Sequence, residues 1–251
     1  MPNEVDSAGQ QPLSRREQQR IELRRDATEA ARRELAAGGI EHLTLAAVAR
    51  EVGVTPPALY RHFGGGREGL IRAVYDTVTD EFVDVVATAA ACYDESDVSA
   101  RLHAATRAVL DWSLAHRAEF DLLMGSNYPR IAATELGIPV VLSRQLGGLY
   151  GTLFSRLLHD HDLRYPADHE IRPGLLPQLR TYREGMNLDF PLGVVYLMLK
   201  CWRQIYGVVC MAVYEHLAFA FAFDDEEELF EDMMVSILGL LGLERSPAYR
   251  R

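Results

Sequence analysis

At 251 residues and 48% hydrophobic content the chain can bury the cores of one large or two modest domains, while a formal charge of −10 has the wrong sign for indiscriminate binding to phosphate. The charge is unevenly shared: residues 1–75 hold 11 Arg against 10 acidic residues, so the acidity belongs to the remainder. Cys92, Cys201 and Cys210 are too few and too scattered for a disulfide framework or a Cys-based zinc site, and read as buried thiols in a reducing cytoplasm.

Residues 1–13 are polar and acidic, without the apolar run of a signal peptide, and read as a disordered tail. Ser14-Arg15-Arg16-Glu17 is a capping-box pattern that opens a first helix, with an apolar face of Ile21, Leu23, Ala27, Ala30, Ala31 and Leu35 and a stop at Gly38-Gly39. Arg15, Arg16, Arg20, Arg24 and Arg25 read equally as a phosphate-contacting arm or as a solvated helix face.

Leu43 to Phe63 reads as two short helices joined at a tight turn. From Thr44 the apolar positions Leu45, Val48, Ala49 and Val52 recur at helical spacing, and Gly53 supplies a left-handed turn residue. Thr55 is a natural N-cap, followed by Pro56 and Pro57 in the first turn, where missing amide hydrogens are harmless. Leu59 and Phe63, four apart, face inward and leave Pro56, Pro57, Tyr60, Arg61 and His62 outward. Such a face suits the major groove: Pro56, Pro57, Ala58 and Arg61 are the candidates for reading bases, and Thr44, Thr55, Tyr60 and His62 for contacting phosphate. Simple capping is the alternative for the two threonines. The helix has no Asn or Gln to read adenine, which shifts weight to apolar contacts and DNA shape.

Beyond Gly64-Gly65-Gly66, the spacing of Leu70, Ile71, Val74, Val78, Phe82, Val85 and Val86 predicts a long amphipathic helix over 67–91, a mechanical link from head to body. Further helices are expected over 98–124, over 139–158 loosened by Gly147, Gly148 and Gly151, over 194–220 opened by Pro191, and from Asp224 and Glu227 onward. Residues 159–187, rich in Pro and Gly, read as a loop with a short helical piece. The tract 194–223 is interrupted by Lys200, Arg203, Glu215 and His216 and reads as a buried helix rather than a membrane span. The architecture is all-α with about nine helices, divided as 1–13 tail, 14–75 helix-turn-helix domain and 76–251 body. The last two helices are apolar over more than one face, as a homodimer interface or a deep monomer core would require.

The run GIEHLTLAAVAREVGVTPPALYRHF closely resembles the DNA-binding domain of the tetracycline-repressor (TetR) family of bacterial transcription regulators, at Gly53, Leu59, Tyr60, His62 and Phe63 above all. One glycine more than the family pattern precedes Arg67-Glu68, and the resemblance assigns Arg67 the phosphate-contacting role of the family's lysine. It further implies a homodimer on a palindromic double-stranded operator, a four-helix interface from the last two helices, and a small-molecule cavity in the body. Trp202-Arg203-Gln204-Ile205-Tyr206-Gly207 also resembles the Trp-x-x-Ile-His-Gly signature of one C-terminal subgroup, the Trp-His-Gly or WHG group, with Tyr206 in place of His.

Trp112, Met124, Tyr128, Tyr150, Phe154, Met186, Met198, Trp202 and Tyr206 are the candidates for lining an effector pocket, although aromatic and methionine stripes also build plain cores. His159, Asp160, His161, Asp162, Asp168, His169 and Glu170 gather potential metal ligands in one loop, without the i, i+4 spacing of a helical site. The expectation is a ligand-responsive regulator, most simply a repressor, with no catalytic residues, no metal and no cofactor. The alternatives are a metal-dependent enzyme on the His159–Glu170 loop and an architectural DNA binder without an effector.

Overall fold

Reciprocal hydrogen bonds close the expected capping box: Ser14 N donates to Glu17 Oε2 (2.9 Å) and Glu17 N to Ser14 Oγ (3.3 Å), opening α1 (Arg15–Gly38). The computed structural model describes residues 14–125, 138–216 and 226–250. The tail 1–13, Tyr128, residues 217–220 of the expected long helix and the cap at Asp224 therefore lie outside the described residues. The chain divides into two compact units, Met1–Val74 and Tyr75–Arg251.

In the first unit α1 packs on α2 (Leu45–Glu51) and α3 (Pro56–His62), and α4 (Arg67–Ala91) begins. The core is small: Ala27, Ala30, Ala31 and Leu35 of α1 with Leu45, Val48, Ala49, Leu59 and Phe63. Ile21, expected on the apolar face, is 52% exposed. Two partner helices of seven residues each cover only the second half of a 24-residue helix.

In the second unit α5 (Val98–Ala115) is the axis, touching α6 (Arg117–Leu123), α7 (Ile138–Asp160), α9 (Leu192–Val213) and α10 (Glu226–Leu240). Its surroundings on several sides explain why Leu102, Ala105, Thr106, Val109 and Trp112 are all buried. Each large apolar side chain so buried contributes about 1.5–3 kcal/mol. The loop expected over 159–187 is more ordered than its Pro and Gly content implied, holding two short 3-10 turns and α8 (Leu176–Gly185). Helix α9 is long and apolar enough to cross a membrane, but it packs against α5, α8 and α10 and buries Val194, Val195, Leu197, Cys201, Ile205 and Val209 in doing so. Of the three thiols only Cys201 is buried; Cys92, expected inside, is exposed near the end of α4. Among the described residues there are ten α-helices and no strand.

Past α10, Gly242 (φ 71°) turns the chain back along α5. Ser99 Oγ donates to Glu244 O (2.7 Å), and Tyr249 stacks on His103 with ring centroids 3.8 Å apart.

Candidate functional site

The turn between α2 and α3 is built from three local features. Thr44 Oγ1 accepts from Ala47 N (3.2 Å), capping α2. Gly53 adopts φ 71°, a region closed to most side chains. Thr55 sits at the N-cap of α3 in extended conformation but makes no side-chain cap, contrary to expectation. The reason is chemical: Pro56 and Pro57 have no N–H, and Ala58 N is already bonded to Thr55 O (2.9 Å). The hydroxyl of Thr55 is thus exposed and uncommitted to its own helix.

Leu59 and Phe63 are 0% and 1% exposed, whereas Pro56, Pro57, Tyr60 and Arg61 face solvent, Tyr60 at 58%. Ala58 and His62 are half-buried. Two arginines fix the element, one on α3 and one on the bend before α2. Arg24 Nη1 donates to His62 O (2.8 Å) with its guanidinium 4.9 Å over the Phe63 ring, a cation at the helix C-terminus. Arg67 Nε donates to Leu43 O (2.8 Å) and its Nη2 to Ile40 O. Arg67 is consequently half-buried as a clamp on the bend before α2, a role that its position in the chain did not reveal.

The three-glycine segment is a requirement rather than slack. Gly65 and Gly66 both have positive φ (86° and 66°), and a Cβ on Gly66 would meet Tyr60 Cε1 at 2.8 Å. Behind it Gly69, unremarked in the sequence, has the Gly64 carbonyl oxygen 2.0 Å from where its Cβ would be.

The second unit holds a cavity of about 390 Å³. Of the residues expected around an effector, Met124, Tyr150, Phe154, Met198, Trp202 and Tyr206 line it. Trp112 does not: its ring lies between Phe82 (4.6 Å) and His116 (4.9 Å) in the core. Met186 stands one layer back, its Cε 2.8 Å from where a Cβ on the lining Gly147 would be. Leu102, Leu146, Tyr182, Cys201 and Ile205 also line the cavity and were not anticipated. Cys201 and Ile205 were findable, since they share the α9 stripe of Met198 and Trp202 at helical spacing. Leu102 and Tyr182 come from other helices and had no local signal.

Tyr206 donates its hydroxyl to Met124 O (2.6 Å), satisfying a carbonyl at the end of α6. Burial pushes the Cys201 thiol up to about 12, so it stays protonated. Burial likewise pushes the Tyr150 phenol up to about 12.

Among the described residues no three His, Cys, Asp or Glu side chains are placed to hold a metal ion. The metal-enzyme alternative on the His159–Glu170 loop is therefore unsupported; His159 Nδ1 is hydrogen-bonded to Ser155 O at 2.7 Å.

A two-helix element with a bared second helix in one unit, and an apolar cavity in the other, define a helix-turn-helix regulator with a separate ligand-binding unit. Residues 27–74 match the family described as bacterial regulatory proteins, tetR family, and residues 102–237, more than half of the chain, match the tetracyclin repressor-like C-terminal domain. The chain belongs to the TetR family of bacterial regulatory proteins and is a ligand-responsive DNA-binding regulator. It is similar to the HTH-type transcriptional regulators Rv1816 of Mycobacterium tuberculosis and Mb1846 of Mycobacterium bovis, each 24% identical over 202 residues covering 80% of this chain and 85% of the relative. Its fold is that of regulatory protein SCO4313 (TM-score 0.69, 22% identity, covering 90% of this chain and all of that one). It also matches the fold of a TetR family regulator from Marinobacter aquaeolei VT8 (TM-score 0.54, 17% identity, covering 88% and 97%).

Proposed function

We propose that the protein is a cytoplasmic homodimeric repressor that holds a palindromic operator until a small molecule enters the cavity of its second unit. The observation that carries this reading is the face of α3, where Pro56, Pro57, Tyr60 and Arg61 are bare while Leu59 and Phe63 anchor the helix from behind. Arg61 reads bases; Thr44, Thr55, Tyr60 and His62 contact phosphate; Pro56, Pro57 and Ala58 present apolar surface to thymine methyls. Arg67 contributes by holding the bend in shape, and any phosphate contact it makes uses the donors left over from Leu43 and Ile40. Val235 on α10 stays exposed in the single chain, in keeping with a twofold partner on these last helices. We group the second unit with the Trp-His-Gly subgroup, Tyr206 standing at its His position. An effector that prefers the conformation with weaker operator affinity releases the DNA by that difference in binding free energy.

The reading is tested by fluorescence anisotropy on duplexes drawn from the DNA flanking its own gene, at moderate salt. Two chains should bind one palindrome whose half-sites lie about 34–36 Å apart. Arg61→Ala should lose about 1–3 kcal/mol of discrimination between operator and scrambled duplex. Equal affinity of the wild-type protein for both duplexes would end the proposal.

A further inference from the structure

We propose that the effector is a neutral, largely apolar, flat molecule carrying one hydrogen-bond acceptor, and that this acceptor sits against the Tyr150 hydroxyl. The inference rests on the cavity being the effector site. It is drawn from what the lining offers and what it withholds.

No described residue that lines the cavity carries a formal charge. A carboxylate or ammonium group entering it would lose its hydration without meeting a counter-charge among these lining residues, at a cost of several kcal/mol. Nor does the cavity offer a reactive nucleophile, because the Cys201 thiol stays protonated in its apolar setting. The rings of Phe154, Trp202 and Tyr206 and the thioethers of Met124 and Met198 supply polarisable walls, with Trp202 and Tyr206 inclined by only 27° to one another. Walls of this kind favour flat, polarisable ring systems over branched aliphatic ones.

One polar atom stands out against this background. The Tyr150 hydroxyl is buried and finds no hydrogen-bond partner among the described residues. The Thr106 hydroxyl, which donates its own proton to Leu102 O at 2.8 Å, stands beside the phenol, but the two do not meet in hydrogen-bond geometry. The hydroxyl of Tyr206 is committed as well, to Met124 O. A buried phenol without a partner costs about 1–3 kcal/mol and is uncommon in native folds. A ligand carbonyl or ether oxygen would remove that cost, and because the phenol keeps its proton it meets the ligand as a donor.

The test uses two naphthalene dyes of similar ring size on the purified full chain without DNA: Prodan, a neutral ketone, and TNS, an anionic sulfonate. Prodan should bind with blue-shifted emission and at least about tenfold more tightly than TNS, since an unpaired buried charge is disfavoured by more than that factor. Tyr150→Phe should weaken Prodan about fivefold, the net worth of one hydrogen bond. The melting temperature of the unliganded variant should hold or rise, because an apolar group then replaces an unpaired one. TNS binding as tightly as Prodan would overturn the neutral class. Unchanged Prodan affinity in Tyr150→Phe, or a lowered melting temperature of the unliganded variant, would overturn the placement of the acceptor. Operator binding of the dye-free protein is read separately. Equal affinity for operator and scrambled duplex ends the repressor reading and leaves the cavity chemistry standing, whereas TNS binding as tightly as Prodan to a protein that still prefers its operator ends the cavity chemistry alone.

Discussion

In the first unit Arg24 and Arg67 both end on backbone carbonyls, those of His62, Leu43 and Ile40, whereas in the second unit the buried hydroxyl of Tyr150 finds no hydrogen-bond partner among the described residues. The glycines beside the two sites differ in the same way. Gly69 leaves no space for a Cβ next to the Gly64 carbonyl, while at Gly148 and Gly151 in α7 a Cβ would meet nothing within 4 Å. The turn that carries α3 has its carbonyls answered and its backbone specified at Gly69, as a surface that must present fixed side chains to a groove requires. The second unit keeps room and an unanswered donor, as a receptor for something supplied later requires.

Gly69→Ala attacks the specified region most directly. A Cβ 2.0 Å from Gly64 O cannot be relieved by a rotamer change, so the turn between α3 and α4 must move. Expected is a loss on the order of 3 kcal/mol or more. Hydrogen exchange should show it as lost protection across α2 and α3 with a far smaller change in α5; equal loss in both would break the contrast. Arg67→Ala comes next. It leaves the carbonyls of Leu43 and Ile40 without their charged donor, at about 2 kcal/mol. Since Trp112 and Trp202 both lie in the second unit, tryptophan fluorescence should miss this change and far-ultraviolet dichroism should record it.

Arg67 shows where local sequence patterns stop: a phosphate contact is what the family resemblance implies for it, and its clamp on the backbone is a separate role. The four-residue step from Leu59 to Phe63 and the Thr44 cap are written locally, and helical period and cap chemistry suffice to find them. The clamp on Ile40 and Leu43 spans 27 and 24 residues, and no local pattern records a carbonyl that a bend has turned towards a side chain. Thr55 failed as a cap for a reason the sequence did hold, in the prolines that follow it. In the second unit the α9 side of the cavity was legible because one helix carries it. Trp112 was misplaced because a large ring beside a core and one beside a cavity look alike until Phe82 is seen against it. The return of residues 243–250 along α5 left no periodic trace.

That return creates a smaller, pH-dependent effect. His103 is buried under Tyr249, with Nε2 3.1 Å from Glu231 Oε1, and Arg245 Nη1 is 3.3 Å from the other oxygen of that carboxylate. Desolvation lowers the imidazole below its ordinary 6.5, outweighing the upward pull of Glu231, so the folded chain takes up this proton less readily than the unfolded one. Stability is therefore complete above 6.5 and falls as the pH drops below it towards the folded-state value. The slope is at most about 1.4 kcal/mol per pH unit. His103→Gln should flatten it in urea titrations compared at pH about 7.5 and 5.5; an unchanged slope would assign the effect to other groups.

The smallest effect separates two adjacent glycines. Gly148 is exposed on α7 and a Cβ there meets nothing, so Gly148→Ala gains helix propensity without a steric cost, about 0.5–1 kcal/mol of added stability. At Gly147, which lines the cavity, the same methyl reaches Met186 Cε, the far end of a flexible side chain that can turn aside. Gly147→Ala should accordingly cost ligand affinity while changing stability little. A thermal melt and a Prodan titration on both variants give four numbers whose pattern decides whether α7 keeps Gly147 for room. If Gly148→Ala weakened the dye as much as Gly147→Ala, the lining would extend round the helix and the cavity would be wider than the side chains now facing it.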